Sequence, residues 1–406
     1  MTADVIRADF PFFSSPGAPV YLDSAATAQK PQCVIDRITA FYSGECANIH
    51  RGGYPLAAAA TRAYEQARAG IAAFIGAGAD NVIFTLNATD ALNQAAAMLA
   101  PRIQAGSNVI ATALEHNSAL LPFMRICKEN GAQLRLIPLG EDGVPQLHLI
   151  ETLIDPNTAA AVITAGASAT GWRAPLDQIL PVFAQRGIPT VVDATQRIVH
   201  DRIDFSALGC DFLCFSGHKL YGPTGIGVLA MKDAWQAHAP ARIGGGTVRE
   251  ATENGYSLHS GVEAFEAGTP PIAQALGLHS AAAYLLAHDP DALFAQENRL
   301  ALRLEQGLSA ISGVHVIPAG EQRLPIVSFT CSDIHAADMA QLLAARGIAV
   351  RVGQHCAHIA HRQLGLESTI RASIGIYTHE ADVDTLLNAI EHIQQRWRKR
   401  HGPRTP

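Results

Sequence analysis

Phe212-Leu213-Cys214-Phe215-Ser216-Gly217-His218-Lys219-Leu220-Tyr221-Gly222-Pro223-Thr224-Gly225-Ile226-Gly227 is the stretch on which the rest of the chain depends. An apolar run enters a Ser-Gly-His-Lys turn, and a loop punctuated by Gly and Pro leads to a second apolar run, Ile226 to Met231. The pattern predicts a buried strand that delivers one lysine to a polar site. Upstream, the apolar segment Pro189 to Val192 ends in Asp193-Ala194-Thr195-Gln196. It predicts a second strand, with a carboxylate at its carboxyl end.

Alone, Lys219 also reads as a solvated surface lysine. Paired with Asp193, it supplies both halves of a pyridoxal phosphate site: an amine that forms a Schiff base with an aldehyde cofactor, and an acid that keeps the pyridinium nitrogen protonated. The order strand, acid, strand, lysine is what such a site requires.

The chain of 406 residues, 48% hydrophobic and 16% charged, is long enough for two domains and has no signature of disorder. A net charge of -6 gives no electrostatic reason to expect nucleic acid or an anionic membrane, so a small metabolite is the expected partner. Asp4, Arg7 and Asp9 break up the apolar start, and no apolar run approaches the roughly 20 residues of a membrane helix. A cytoplasmic protein is expected. Seven scattered cysteines without a CxxC pair argue against a disulfide framework and against a structural zinc site.

Strand and helix patterns alternate from Asn81 onward, as a parallel sheet requires. Strands are predicted at Val82 to Leu86, Asn108 to Ala113, Gln133 to Leu139 and Ala160 to Thr164, with helices at Thr89 to Ala100 and Ser118 to Glu129 among them. Asn87-Ala88-Thr89-Asp90 falls at a strand-to-helix turn, where free N–H groups and the helix dipole favour a phosphate, and Thr89 is also a candidate N-cap. His116 ends the next strand and is expected to face the ligand crevice. The polar loop Asn48-Ile49-His50-Arg51-Gly52-Gly53-Tyr54 precedes an alanine-rich helix, and Asn48 and His50 are candidates for substrate contact. After Gly268-Thr269-Pro270-Pro271 two long helices lead to short strands at Val314 to Pro318, Ile326 to Thr330, Ala349 to Val352 and Thr369 to Ile374. Helices are predicted at Ala336 to Arg346 and Glu380 to Arg396, and the basic tail from Arg396 to Pro406 is expected to fray. The division expected is 1–20 as an N-terminal segment packing with the small domain, 21–270 as a large domain and 271–406 as a small one.

Arg351-Val352-Gly353-Gln354-His355-Cys356-Ala357-His358 opens a strand end into a polar loop with one thiol among histidines and an arginine. Cationic neighbours lower a thiol's pKa, and the thiolate is the nucleophile. Cys210 and Cys214 lie in or beside an apolar run and read as inert core.

Taken together these segments resemble the class V aminotransferases and, within them, the group II cysteine desulfurases and selenocysteine lyases. The likeness runs from about Tyr21 to Asp384, strongest at Tyr21 to Thr27, Asn48 to Gly52, Asp193 to Gln196, Phe215 to Gly227, Phe265 to Pro270, Arg351 to Ala357 and Ile370 to Ser373. It implies an α/β chain of the pyridoxal phosphate-dependent transferase fold type I, with a mainly parallel seven-stranded sheet in the large domain and a smaller C-terminal α/β domain. It further implies that Lys219 carries the cofactor, Asp193 meets the ring nitrogen, Gln196 the ring hydroxyl, and His116 stacks on the ring and serves catalysis. Ala88, Thr89, Ser216 and His218 would form the phosphate cup, and Thr269 would reach the cofactor of a second copy in a homodimer. Arg371, helped by Arg351, would hold the substrate carboxylate. Cys356 would attack the sulfur of L-cysteine, leaving alanine and a persulfide for a sulfur-acceptor protein.

The chain also departs from the family pattern. Ser168 stands where the family has an Asn that helps hold the substrate carboxylate, and its hydroxyl is expected to recover part of that bond. Ala88 replaces a second Thr of the phosphate cup, Tyr54 a common His, Tyr377-Thr378-His379 a usual Tyr-Asn-Thr, and His358-Ile359 a polar residue and Pro. These changes cluster around the substrate, so a related C–S, C–Se or sulfinate lyase is the alternative activity. A noncatalytic sulfur-transfer scaffold is a third reading, which the intact Lys219 and Cys356 oppose.

Overall fold

The computed structural model describes residues 3–401. Its largest element is a seven-stranded sheet in the spatial order Val82–Thr85, Gly227–Met231, Phe212–Ser216, Thr190–Asp193, Thr158–Thr164, Asn108–Thr112, Gln133–Ile137. The last five pair in parallel, while Gly227–Met231 runs antiparallel to both neighbours. The reason is local. The Gly/Pro loop after Lys219 turns the chain straight back, and a parallel partner would need a crossover helix. All but the edge strand Gln133–Ile137 are buried almost throughout, because helices cover both faces. Val192, Phe215 and Ile110 belong to one core, and Val191, Cys214 and Val109 to the core on the opposite face, as period-two alternation demands.

The sheet strands fall within one or two residues of their predicted bounds. At Gly227 a side chain is excluded by contact, since an added Cβ would stand 2.4 Å from the backbone of Asn87. That close approach brings the turn before the helix Ala88–Leu99 over the Lys219 strand.

A second sheet orders Val314–Val316, Ile326–Cys331, Thr369–Ser373 and Arg351–Gly353, all antiparallel. Its core includes Leu304, Val327, Phe329, Ile370 and Leu386, with the helices Pro290–Ala310, Ala336–Ala344 and Glu380–His401 contributing. The single strand predicted over Ala349 to Val352 is in fact two. Ile348–Ala349 pairs with Val20–Tyr21, whereas Arg351–Gly353 pairs with Thr369–Ser373. The basic tail is helical as far as His401 rather than frayed from Arg396, and residues 402–406 lie outside the described residues. A hairpin at Val248–Thr252 and Gly255–Leu258 and a short helix at His358–Gln363 have exposed or mixed faces and left no periodic signal in the sequence.

The N-terminal segment touches both parts. Ile6 and Phe10 join the large core, with Phe10 edge-on to Tyr221 and Tyr377, while Arg7 pairs with Asp382. No helix of the described residues is long and apolar enough to cross a membrane.

Candidate active site

The carboxyl ends of the parallel strands converge on a cavity of about 380 Å³. Strand Phe212–Ser216 brings in Ser216, then His218 and Lys219, and strand Thr190–Asp193 ends on Asp193 itself. Burial first, and then the nearby Arg371 cation, bring the Lys219 amine down to about 8, with Asp193 opposing the shift. Roughly a tenth of the amine is therefore unprotonated at pH 7, far more than for a lysine at its ordinary value, and a nucleophilic lysine needs that free form.

Asp193 is buried, and its Oδ1 accepts the backbone N–H of Thr195 at 3.0 Å. Gln196 Nε2 donates to the carbonyl of Ala25 at 3.0 Å. His116 opens the helix Asn117–Asn130, and its Nδ1 accepts the N–H of Ser118 at 3.1 Å. That bond leaves the ring proton on Nε2. Burial lowers the His116 pKa, Asp193 opposes it, and Lys219 and Arg371 add to the lowering.

At the phosphate-cup end the N-cap is Asn87 rather than Thr89. Its Oδ1 accepts from Asp90 N–H at 2.9 Å, and the helix begins at Ala88. Asn87, two residues earlier, takes the free N–H group of the first turn, and Thr89 Oγ1 meets Ser118 Oγ instead, 2.7 Å away. Ala88 N–H donates to Ser216 Oγ at 2.8 Å, and His218 Nδ1 lies 3.2 Å from Thr27 Oγ1. Burial, Lys219 and Lys30 push His218 down to about 4.

Lys30 was not foreseen. Its amine donates to the carbonyl of His218 at 3.0 Å and to that of Ala28, which ties the peptide before Lys219 to the first loop. Burial takes it to about 8. Nothing in the sequence separates it from a surface lysine. Glu115 was also unforeseen: its Oε1 accepts from Thr112 Oγ1 and from Thr164 N–H, its Oε2 is buried without a partner, and burial raises it to about 8.

The second sheet supplies the other wall of the cavity. Arg371 Nη1 donates to the carbonyl of Ser168 at 2.8 Å and Nη2 lies 3.6 Å from Asp23, which Arg351 also pairs with at 2.7 Å. Arg371 Nε is buried and has no partner. The Ser168 hydroxyl does not support Arg371 as expected. It turns instead to the carbonyl of His355, at 3.4 Å.

Cys356 is exposed and lines the same cavity as Lys219. His355 and Cys356 both have positive φ, 50° and 55°, a rare left-handed pair for residues with a Cβ. Asn117 N–H holds the Cys356 carbonyl at 2.7 Å, and Ala357 N–H closes the turn onto Gln354. The expected cationic surroundings are only half present. Burial and the Arg371 charge force His355 down to about 2, so it carries no charge, and Arg371 is the near cation, one on which Cys356 acts electrostatically.

Asn48, His50 and Thr269 are not in this cavity. They line another, of about 580 Å³, together with Gly245, His259 and Glu266. Cys210 and Cys214 are fully buried, with thiols pushed upward by that burial.

A lysine, a carboxylate and a thiol thus share one cavity, and the family model for aminotransferase class-V matches residues 20–386. The chain belongs to the aminotransferase class-V family. Among class-V relatives, a probable cysteine desulfurase of Pseudomonas aeruginosa is 39% identical over 95% of this chain and 96% of its own length. A cysteine desulfurase of Escherichia coli O157:H7 is 36% identical, over 97% and 98%. Of solved structures, the cysteine desulfurase CsdA of Escherichia coli superposes with a TM-score of 0.91 at 34% identity, covering 98% of this chain and 99% of that one. The apo cysteine desulfurase of Thermococcus onnurineus does so with 0.93 at 32%, covering 97% and 98%. The seven-stranded sheet is therefore the class-V fold.

Proposed function

We propose that this protein is a pyridoxal phosphate-dependent cysteine desulfurase, converting L-cysteine to L-alanine and keeping the sulfur on Cys356 as a persulfide. The observation that carries the reading is a single cavity lined by a low-pKa lysine, a buried aspartate and an exposed thiol, in a chain whose full-length relatives are named cysteine desulfurases.

The cavity fits the cofactor. Thr195 Oγ1 and Arg371 Nε are buried there without a protein partner, and such orphans call for a ligand. Pyridoxal phosphate would supply a ring that withdraws electrons from the substrate α-carbon. Lys219 would hold it covalently, Asp193 would keep the ring nitrogen protonated, and Gln196 and His116 would contact the ring. The start of helix Ala88–Leu99, with Thr89, Ser216 and His218, would take the phosphate.

Arg371 Nε and Nη2 would hold the substrate carboxylate, with Asp23 and Arg351 as the competing pair beside it. The unprotonated Lys219 amine would then take the α-proton and return it. The C–S bond of L-cysteine breaks as an S–S bond forms on the Cys356 sulfur, and the carbon fragment gains a proton to leave as alanine. The exposure of Cys356 suits transfer onward to a sulfur-acceptor protein.

Asn48, His50 and Thr269 would act in a homodimer, where their separate cavity meets the Lys219 cavity of a second copy. Of the described residues, 21–270 would form the cofactor-binding unit and 271–401 the unit that brings Arg371 and Cys356, with 3–20 strapped across the two. All seven cysteines are unpaired, which suits a reducing compartment such as the cytoplasm.

The test is alanine and sulfide release from L-cysteine with a reductant, comparing wild type with Cys356→Ala at saturating cofactor. Loss of turnover in the variant supports the persulfide route. Turnover that survives moves the activity to elimination on another cysteine-derived substrate.

A further inference from the structure

Lys30 takes no part in the mechanism above, yet it holds the carbonyl of His218, the cavity-lining residue that precedes Lys219. That carbonyl has two lone pairs, and three donors stand around it: Lys30 Nζ at 3.0 Å, Ala28 N–H at 3.1 Å and Thr27 Oγ1 at 3.4 Å. The two nearer donors fill it. Lys30 is kept in place by its second contact, the carbonyl of Ala28. The other acceptor within reach of Thr27 Oγ1 is His218 Nδ1 at 3.2 Å, and the single hydroxyl proton goes there.

Burial, Lys219 and Lys30 hold the His218 pKa at about 4, so the ring is neutral and one nitrogen alone carries a hydrogen. With Nδ1 accepting from Thr27, that nitrogen is Nε2. Thr27 is not among the residues that line the cavity, and the Nδ1 edge of the ring is turned to it, so the edge that His218 shows to the cavity bears Nε2. His218 is half-buried, and its Nε2 is not among the polar atoms sealed from solvent without a partner. An N–H there meets a phosphate oxygen, which only accepts. Without Lys30 the carbonyl would have a lone pair open, and the Thr27 hydroxyl would turn to it. His218 Nδ1 would then donate to Thr27 Oγ1, and Nε2 would show the cavity a lone pair.

Resting on the pyridoxal phosphate reading, we infer that Lys30 is a positioning residue for the cofactor phosphate: by occupying the His218 carbonyl it commits the Thr27 hydroxyl to Nδ1, and so turns an N–H of His218 rather than a lone pair toward the phosphate. Thr27 is the second positioning residue, and both act through His218.

The experiment labels the full chain with ¹⁵N-histidine, assigns His218 with His218→Gln, and reads which of its ring nitrogens is protonated in holoenzyme and in apoprotein. In parallel, absorbance titration of apoprotein gives Kd for pyridoxal phosphate and for pyridoxal, which lacks the phosphate, in wild type, Lys30→Met, Thr27→Val and the double variant. Wild type is expected to carry the proton on Nε2 alone, and apoprotein of Lys30→Met to gain Nδ1 protonation. The preference for pyridoxal phosphate over pyridoxal is expected to fall by roughly three- to tenfold in Lys30→Met, the effect of one misplaced hydrogen bond. Thr27→Val removes the competing hydroxyl, so adding it to Lys30→Met is expected to restore most of the preference. A proton on Nδ1 in wild type, a preference unchanged in Lys30→Met, or a double variant no better than Lys30→Met, which would mean that the lysine acts by its charge alone, overturns the inference. If Lys30→Met does not fold, the wild-type spectrum still decides, since a proton on Nδ1 there is incompatible with the assignment. Wild type that takes up neither pyridoxal phosphate nor pyridoxal, with its proton on Nε2 and shifted in Lys30→Met, removes the cofactor reading and supports the role of Lys30.

Discussion

The backbone N–H of Asn117 donates to the carbonyl of Cys356 at 2.7 Å, so the first turn of the helix after His116 holds the loop that presents the thiol. The bond spans the two sheets. It offsets part of the cost of two consecutive left-handed residues, about 1–2 kcal/mol each for residues with a Cβ.

Asn117→Pro removes this bond together with the side-chain contact of Asn117 Nδ2 to His358 Nδ1 at 2.9 Å, and Asn117→Ala, which keeps the backbone N–H, removes only the second and serves as the control. Proline is favoured at the first helical position, and His116 already has φ -66° and ψ 146°, the conformation a following proline demands. The fold and cofactor uptake are expected to survive, while sulfur transfer to Cys356 falls by about tenfold, the worth of one buried hydrogen bond. Single-turnover persulfide formation, with cofactor absorbance as the control, measures it. An unchanged rate would show that the loop needs no such anchor.

Arg371 and Ser168 are expected to differ sharply as substitution sites. Arg371→Lys removes Nε and the fork geometry and should raise KM for L-cysteine by roughly ten- to a hundredfold. Ser168→Ala should change KM by less than about threefold, because the hydroxyl spends itself on a long bond to the His355 carbonyl. Initial-rate kinetics decide, and a large KM effect at Ser168 would contradict the position of its hydroxyl.

The Lys219 amine is pushed down to about 8 from the ordinary lysine value of 10.5, first by burial and then by Arg371. Its reactive, unprotonated form is scarce below pH 8 and predominant above it. Covalent capture of pyridoxal phosphate by apoprotein should therefore rise through a midpoint near pH 8 and then level off. Removing the cation in Arg371→Gln should move the midpoint upward. Stopped-flow capture rates against pH check both, and a midpoint near 10.5 in wild type would contradict the burial of the amine.

Glu115 is raised from 4.5 to about 8 by complete burial. The folded protein then keeps a proton that the unfolded chain releases above pH 4.5, so this group's stabilising effect is present below 4.5 and lost as pH rises through 8. Glu115→Gln, which keeps the shape without the charge, should gain on wild type across that window, on the order of a few kcal/mol in full. Chemical denaturation of both proteins at pH 5 and pH 8 measures the difference. A constant gap between them would mean that Glu115 is ionised in the fold.

The large sheet was legible because its strands, the edge strand Gln133–Ile137 apart, are buried on both faces and therefore appear as largely apolar runs bounded by polar turns. Lys219, Asp193 and His116 follow directly, since residues just past such strands face the crevice. Lys30 and Glu115 were not legible, because their burial depends on segments far away in sequence, His218 for one and Thr164 for the other.

By itself, then, the sequence determined the succession of strands and helices, the lysine and acid at adjacent strand ends, and the thiol on a loop. Periodicity and turn chemistry are local, and they survive in a single chain of letters. Tertiary structure alone decided which protons and charges these groups carry. It made His355 neutral rather than cationic, took the Ser168 hydroxyl away from Arg371, and separated Asn48, His50 and Thr269 from Lys219 within one chain. Those outcomes depend on burial and on hydrogen-bond partners hundreds of residues apart, and neither is written in the neighbourhood of the residue it governs.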